Sequence, residues 1–371
     1  MAVALMTNLN SGFAVAGGDA GHLASLNNQG SGAPDTYISY LHNRDQVTAW
    51  IHDAIALFTP AARAVVKGYY GKEASHSYYD GCSTGGAQGF ALAQYHPDLF
   101  DGIIAGSPGN WYSHLALSFL WNAQRTQSNS SFLSQAALNL TTAAVLKACD
   151  ALDGVADGVV ENPLLCDFQL STLACNSSAV ANNSTCLTPD QIEAAKAIYA
   201  GPTNAETGAQ LYPGFSPGSE IEWILQEGDL ASAFAVPILQ NLVYNDLNYN
   251  PSTFDWAGDV KDVDEKAGAF IDEISVNLTA FRNRGGKMIV TQGYVRGLRD
   301  SIELRKDVDV GASWADPFNA ATWPIEHMER IQTFFGGDIS DFFNLFMIPG
   351  TLILFCFVPV FLPHQPTVGV L

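Results

Sequence analysis

Ser83 stands in Gly81-Cys82-Ser83-Thr84-Gly85, the pattern G-x-S-x-G. A serine hydroxyl is a weak nucleophile until a base takes its proton and the backbone presents it to a substrate. The pattern meets the second need: a strained strand-to-helix turn lifts the serine above a sheet. Its glycines let that backbone pass close to its neighbours. The spacing also arises by chance in a Gly-rich chain, so the flanks decide. His76-Ser77-Tyr78-Tyr79 reads as a short strand, and Ala87 to Gln94 as a helix with apolar Phe90, Ala91 and Ala93. Phe100 to Gly106 is short, apolar and bounded by glycines, as a buried parallel strand is. Strand, helix and strand around one serine predict an α/β fold with Ser83 as nucleophile.

Two further sets of residues have chemical spacing. An α/β-hydrolase takes its triad in the order Ser, Asp, His, so the acid is sought after Ser83, and Asp316, in Trp314-Ala315-Asp316-Pro317, is one of the aspartates there; the resemblance described below singles it out. An Asp-Pro turn is the structural alternative. In Cys149-Asp150-Ala151-Leu152-Asp153-Gly154-Val155-Ala156-Asp157-Gly158-Val159-Val160, three aspartates recur at steps of three and four. The glycines after Asp153 and Asp157 permit tight turns, so carboxylates and carbonyls can surround a hard cation such as calcium, which takes six to eight oxygens. The EF-hand pattern is missing, and an acidic surface turn has the same composition. His42 and His52 have no catalytic context and read as surface or satisfied core histidines.

The elements that must position these residues follow from periodicity. Gly12 to His22 reads as a strand ending in a Gly-rich turn. Arg44 to Phe58 is an amphipathic helix with Val47, Trp50, Ile51, Ala54, Ile55 and Phe58 on one face. Pro60 to Tyr69 reads as a second helix with proline in its first turn, and both are expected to pack on the sheet. Beyond Tyr112 the pattern changes to Asn/Ser/Thr tracts and helical segments such as Pro189 to Tyr199. Gly285 to Gly293 then restores a strand between turns. The expected organisation is an α/β core, 1–112 and 285–371, with an inserted cap, 113–284.

Gly81 to Gly89, Phe100 to Pro108 and Asn110-Trp111 resemble the fungal tannase and feruloyl esterase family, whose elbow also carries a cysteine before the nucleophile. Related segments run from about Gly12 to Gly293 and from Trp314 to Gly350. The resemblance implies an α/β-hydrolase core with a large cap, and hydrolysis of phenolic-acid esters such as feruloyl or galloyl esters. Ser83 attacks, the Thr84 amide donates to the oxyanion, and Asp316 orients a histidine. It implies structural Ca2+ on the side chains of Asp150, Asp153 and Asp157 and the carbonyls of Val155 and Val159. It further implies bridges Cys149–Cys166 and Cys175–Cys186 around that loop and the next.

The chain departs from the family in three places. The segments that normally precede Gly12, including a signal peptide and a glycine loop with a second oxyanion donor, are expected to be missing, which leaves an open sheet edge. Tyr294 to Ser313, dense in charge, separates Gly293 from Trp314, which nearly adjoin in the family; its ends can be coded as splice sites, so it reads as a retained intron. After Asn344 to Gly350 the family continues to a His-Cys pair, base and clamp. Here Thr351 to Leu362 follows, and the base histidine is absent at the family position. His364, behind prolines, is a poor substitute, and spacing gives Cys356 no support as partner of Cys82, which is left a free thiol. Leu345 to Leu362 is uncharged and near the length of a bilayer span, but Pro349, Gly350 and Pro359 weigh against a membrane anchor.

Composition narrows the setting. The 371 residues carry a net charge of −20, which repels nucleic acid and anionic membrane surfaces. Six cysteines without a C-x-x-C pair point to disulfides rather than zinc, hence an oxidising compartment. Sequons at Asn129, Asn139, Asn176, Asn182, Asn183 and Asn277 agree with a secreted glycoprotein, although Met1 to Leu5 has no signal-peptide form. Oligomeric state has no signature. The expected function is a serine carboxylic ester hydrolase acting on small aromatic esters. The competing expectation is a catalytically inactive chain from a faulty gene, at most a calcium-stabilised binding module.

Overall fold

The computed structural model describes residues 8–18, 20–21, 33–175, 185–293, 316 and 318–349, and the backbone of 369–370. The sheet is parallel throughout. Its strands are β1 (His76–Cys82), β2 (Gly102–Gly106), β3 (Lys287–Gly293), β4 (Phe343–Ile348) and β5 (Gly369–Val370), in the order β4-β3-β2-β1-β5. Registers run Tyr78 to Gly102, Gly102 to Lys287 and Met288 to Phe343. Parallel strands bring their carboxyl ends to one edge, the edge at which open α/β sheets bind ligands.

The labelled helices are α1 (Arg44–Thr48), α2 (Ala54–Tyr70), α3 (Thr84–Tyr95), α4 (Tyr112–Thr126), α5 (Gln135–Cys149), α6 (Pro189–Ala200) and α7 (Trp323–Phe335). Helix α6 starts on a capping box, Thr188 with Gln191, which satisfies amide groups left open at a helix start. Helix α3 is buried along Gly86 to Ala93 because it fills the space between β1 and β2. One apolar core lies on the sheet and includes Phe90, Leu92, Ile103, Phe281, Met288, Val290, Ile331 and Phe342. A second includes Ile38, Trp50, Ile51, Tyr112, Leu117, Leu239, Trp256 and Trp323, so the segment before β1 and the long insertion between β2 and β3 share one interior.

Two expected elements differ. Gly12 to His22 is not a strand among its described residues: Gly12 turns at φ 92° and Ala14 makes a single bridge. A strand persists only where a neighbour completes its ladder. The outer edge of β1, expected to be open, is met at His76 and Ser77 by β5, at Tyr78 by the edge of the Phe13 ring and at Asp80 by Asn8. Nor does Pro60 start a helix. Arg44 to Tyr70 runs through α1, a π-helical turn Ala49–Asp53 and α2, with Pro60 inside α2. An interior proline costs about 3 kcal/mol. Burial of Val47, Trp50, Ile51 and Val66, at roughly 1.5–3 kcal/mol each, outweighs it.

Candidate active site

Ser83 is the residue between β1 and α3, with φ 59° and ψ −115°. L-residues seldom adopt that region, and its occupation costs about 1–3 kcal/mol that the surroundings must supply. They supply it through bonds on both sides. The Ser83 amide donates to Gly106 O at 2.9 Å, and the Ser83 carbonyl accepts from Ala87 N at 3.1 Å and Gly109 N at 3.3 Å. The Tyr79 hydroxyl donates to Gly85 O at 2.9 Å. Gln88 Nε2 ties the same helix to Trp50 O at 2.6 Å. A Cβ on Gly81 would stand 2.5 Å from Gly85 O, and one on Gly86 2.6 Å from Gly106 O. These close approaches make glycine obligatory there. Gly85, the last residue of the pattern, meets nothing closer than 3.5 Å. The Ser83 side chain itself is exposed.

Asp316 lies in no strand, and its carboxylate meets side chains at the carboxyl ends of the neighbouring strands β2 and β3. It is 1 % exposed. Its Oδ1 accepts from Phe318 N at 2.9 Å and Asn319 N at 3.1 Å. Its Oδ2 accepts from Gln292 Nε2, on β3, at 3.0 Å. The Ser107 side chain, just beyond β2, also bonds to it. Ser107 has φ 39°, and its amide donates to Thr291 O at 2.7 Å. Asn319 in turn donates to Pro108 O at 3.0 Å and accepts from the Tyr212 hydroxyl. Burial pushes the Asp316 carboxyl up to about 7, against the pull of these donors. Among the described residues Gln292 Oε1 is buried without a partner.

Ser107, Gln292, Asn319 and Tyr212 had not been singled out as site residues. Ser107 and Gln292 had a signal, since each lies at the carboxyl end of a core strand. Tyr212 had none, because it comes from the insertion.

The described histidines are otherwise engaged. His42 Nε2 meets Asn241 Oδ1 at 2.9 Å. His52 Nδ1 meets His96 Nε2 at 2.9 Å. His114 lies between Leu211 O at 2.6 Å and Asp264 Oδ1 at 2.7 Å. His327, 1 % exposed, meets the Asn110 amide at 3.0 Å and stacks on Trp323. Burial lowers its pKa to about 4. His76 stacks on Tyr78. Among the described residues none of them is hydrogen-bonded to Ser83 or Asp316. His364, Cys356 and Tyr294 to Ser313 lie outside the described residues, as does 351–362 of the apolar tail. Its first part forms β4, and no helix among the described residues is long and apolar enough to cross a membrane.

Cys149–Cys166 and Cys175–Cys186 are both bridged. Cys82 is also disulfide-bonded, which corrects the expectation of a free thiol. Spacing along the chain says little about a bond that the fold closes.

The loop after α5 is ordered by its own aspartates. Asp150 Oδ1 accepts from Asp157 N at 3.2 Å and Gly158 N at 3.0 Å. Asp153 Oδ1 accepts from Val155 N at 2.8 Å, and Asp157 Oδ1 from Val159 N at 3.1 Å. Gly154 and Gly158 take φ 92° and 82°. This hard-oxygen set fits calcium in kind, and Asp150 draws the loop's two ends together. The three carboxylates are nonetheless not gathered within 4.8 Å of one another. A cavity of about 310 Å³ lies between this loop and the end of β4, lined by Leu152, Asp153, Val160, Asn162, Met347 and Pro349 among others. Neither Ser83 nor Asp316 lines it.

A family model described as tannase and feruloyl esterase matches residues 1–353. An uncharacterized esterase of Xanthomonas campestris is 31% identical over 365 residues, covering 92% of this chain and 60% of that protein. A probable feruloyl esterase B-2 of Aspergillus flavus is 30% identical over 347 residues, covering 91% and 60%. The chain thus spans about three fifths of the length of these relatives. The crystal structure of feruloyl esterase B from Aspergillus oryzae superposes with a TM-score of 0.74 at 24% identity, over 84% of this chain and 59% of that one. A tannin acyl hydrolase from Aspergillus niger superposes at 0.60 and 20%, over 83% and 58%. At these identities the likeness is one of fold, the α/β-hydrolase fold.

Proposed function

This chain belongs to the tannase and feruloyl esterase family, and on that premise we propose that it is built to hydrolyse carboxylic esters of phenolic acids through Ser83. One observation carries the proposal: Ser83 is held at φ 59° at the carboxyl edge of the sheet, on the edge where Asp316 is fixed by four donors. In this reading the Ser83 hydroxyl oxygen attacks the ester carbonyl. Charge develops on the carbonyl oxygen, and the Thr84 amide, the first donor of α3 and without a partner inside the helix, stabilises it. The Ser83 proton goes to the departing alkoxide, which leaves as the alcohol, and water then hydrolyses the acyl-serine to the free acid and Ser83. Asp316 is the orienting acid, and its bonds to two backbone amides fix one oxygen while the other faces Gln292. The insertion 113–284 acts as the cap and supplies the ring-binding wall. The Asp150 loop is its calcium site, where Asp150, Asp153, Asp157 and the carbonyls of Val155 and Val159 would hold the ion and brace the cap. Five disulfide-bonded cysteines, Cys82 at the elbow and Cys149, Cys166, Cys175 and Cys186 in the cap, with exposed sequons at Asn129 and Asn277, support a secreted glycoprotein.

A second reading rests on an observation of its own. Among the described residues no histidine is bonded to Ser83 or Asp316, so none of these histidines stands as the base there. A missing triad member lowers the rate by roughly 10⁴–10⁶-fold. The test is hydrolysis of methyl ferulate and methyl gallate by three proteins: this chain, its Ser83→Ala variant, and a version lacking Tyr294 to Ser313 with a His-Cys end after Gly350. Activity of this chain that Ser83→Ala abolishes supports the first reading. Activity confined to the rebuilt version supports the second. Activity in none of them refutes the ester-hydrolase assignment.

A further inference from the structure

His52 and His96 are 44 residues apart in sequence, yet their ring nitrogens meet at 2.9 Å. Asp53 Oδ1 completes a triangle, 2.9 Å from His52 Nδ1 and 3.3 Å from His96 Nε2. Two elements build it. The π-helical turn Ala49–Asp53 ends on His52 and Asp53, and single π turns inside helices recur at functional sites. His96 is the residue that closes α3, its amide donating to Leu92 O at 2.9 Å.

We propose that His52, Asp53 and His96 form a binding site for one divalent transition-metal ion, with zinc the best match. The donor chemistry selects the class, since imidazole nitrogen with one carboxylate suits zinc and its neighbours rather than calcium or magnesium. The geometry selects the coordination. Tetrahedral zinc holds nitrogen and oxygen ligands at about 2.0–2.2 Å, hence roughly 3.3–3.5 Å from each other. The observed edges of 2.9, 2.9 and 3.3 Å need to open by only a few tenths of an ångström. The side chains are 14%, 43% and 29% exposed for His52, Asp53 and His96, so water can fill the fourth position and an ion can enter. Tyr95 covers one side, its ring stacked on His52 at 4.5 Å. Its hydroxyl is bonded to the buried Glu273 carboxyl. The ion would pin the segment before α2 to the end of α3, the helix whose other end carries Ser83.

The test is zinc binding by the purified full chain in excess calcium, which occupies hard-oxygen sites, beside the His52→Gln/His96→Gln double variant. Expected is one Zn2+ per chain, an upward shift of Tm on its addition, and affinity weakened by about 100-fold or more in the double variant. Cobalt in place of zinc should give the visible bands of a low-coordinate site, lost in the same variant. Should the double variant misfold, Asp53→Asn, at a half-exposed carboxylate, is expected to weaken binding about 10-fold. A folded wild type that binds no zinc overturns the proposal. So does binding that the substitutions leave unchanged.

Discussion

Replacing Asp316 by asparagine makes the state of the candidate triad measurable. The carboxyl is 1 % exposed, and burial raises it from 3.8 to about 7. No histidinium among the described residues offsets that. Between these two values the native chain keeps a proton that the unfolded chain releases. Stability therefore falls as pH rises through the window, by about 1.4 kcal/mol per pH unit. Above it, the folded state carries the full cost of a buried carboxylate. The asparagine variant has no such proton, and its amide finds an acceptor in Gln292 Oε1, which is otherwise unpartnered among the described residues. Other raised acids, Asp272 to about 6 and Glu273 and Glu227 to about 8, titrate in both proteins and cancel. Urea unfolding of wild type and Asp316→Asn at about pH 5 and pH 7 should show the variant gaining on the wild type by roughly 2–3 kcal/mol across the two units. A gap that stays constant to within about 0.5 kcal/mol refutes the reasoning. It would mean that a cation, such as a histidine base, faces Asp316 and keeps its carboxyl in the ordinary range.

Other expectations follow from the same geometry. Ser83→Gly relieves the strain at φ 59° and should raise unfolding stability by about 1 kcal/mol while ester hydrolysis disappears; loss of stability would show that the turn is not strained. Gly86→Ala places a methyl 2.6 Å from Gly106 O and 2.9 Å from Pro108 Cα, both backbone, and should cost roughly 2–3 kcal/mol or more in urea unfolding, whereas Gly85→Ala, whose methyl would meet the Tyr79 hydroxyl at an ordinary 3.5 Å, should cost under about 1 kcal/mol. Chelation with EGTA should lower Tm of the wild type and leave Asp150→Ala unmoved; equal responses would argue against calcium on this loop. His327, lowered from 6.5 to about 4 by burial, resists protonation in the fold. It should therefore remove stability as pH falls from 6.5 toward 4, a loss that His327→Gln abolishes in thermal melts.

Much of the local structure could be read from the sequence. The Ser83 turn needs glycines where its backbone touches itself, and those contacts lie within a few residues, so spacing reveals them. Helix α6 declares its own start through Thr188 and Gln191, three residues apart. The strand at Lys287–Gly293 shows as an apolar run between turns. Pro60 misled because intrinsic propensity points to a helix start, while the burial of Trp50 and Val66 is a tertiary quantity. Gly12 to His22 misled because an apolar run becomes a strand only beside another.

What the sequence determined by itself is what depends on neighbours in the chain: the elbow at Ser83, the aspartate loop after Cys149, the strand-helix-strand order, and the absence of a histidine at the family position. Tertiary structure decided what depends on groups remote in sequence. It buried Asp316 beneath Gln292 and Ser107, and that burial raised its pKa against the pull of these donors. It engaged Cys82 in a disulfide. It also turned His52 and His96, unremarkable when read singly, into a converging pair with Asp53. The physical reason is that pKa, disulfide pairing and ligand geometry all depend on through-space distance and on the removal of water. Both are fixed only when the helices close over the sheet.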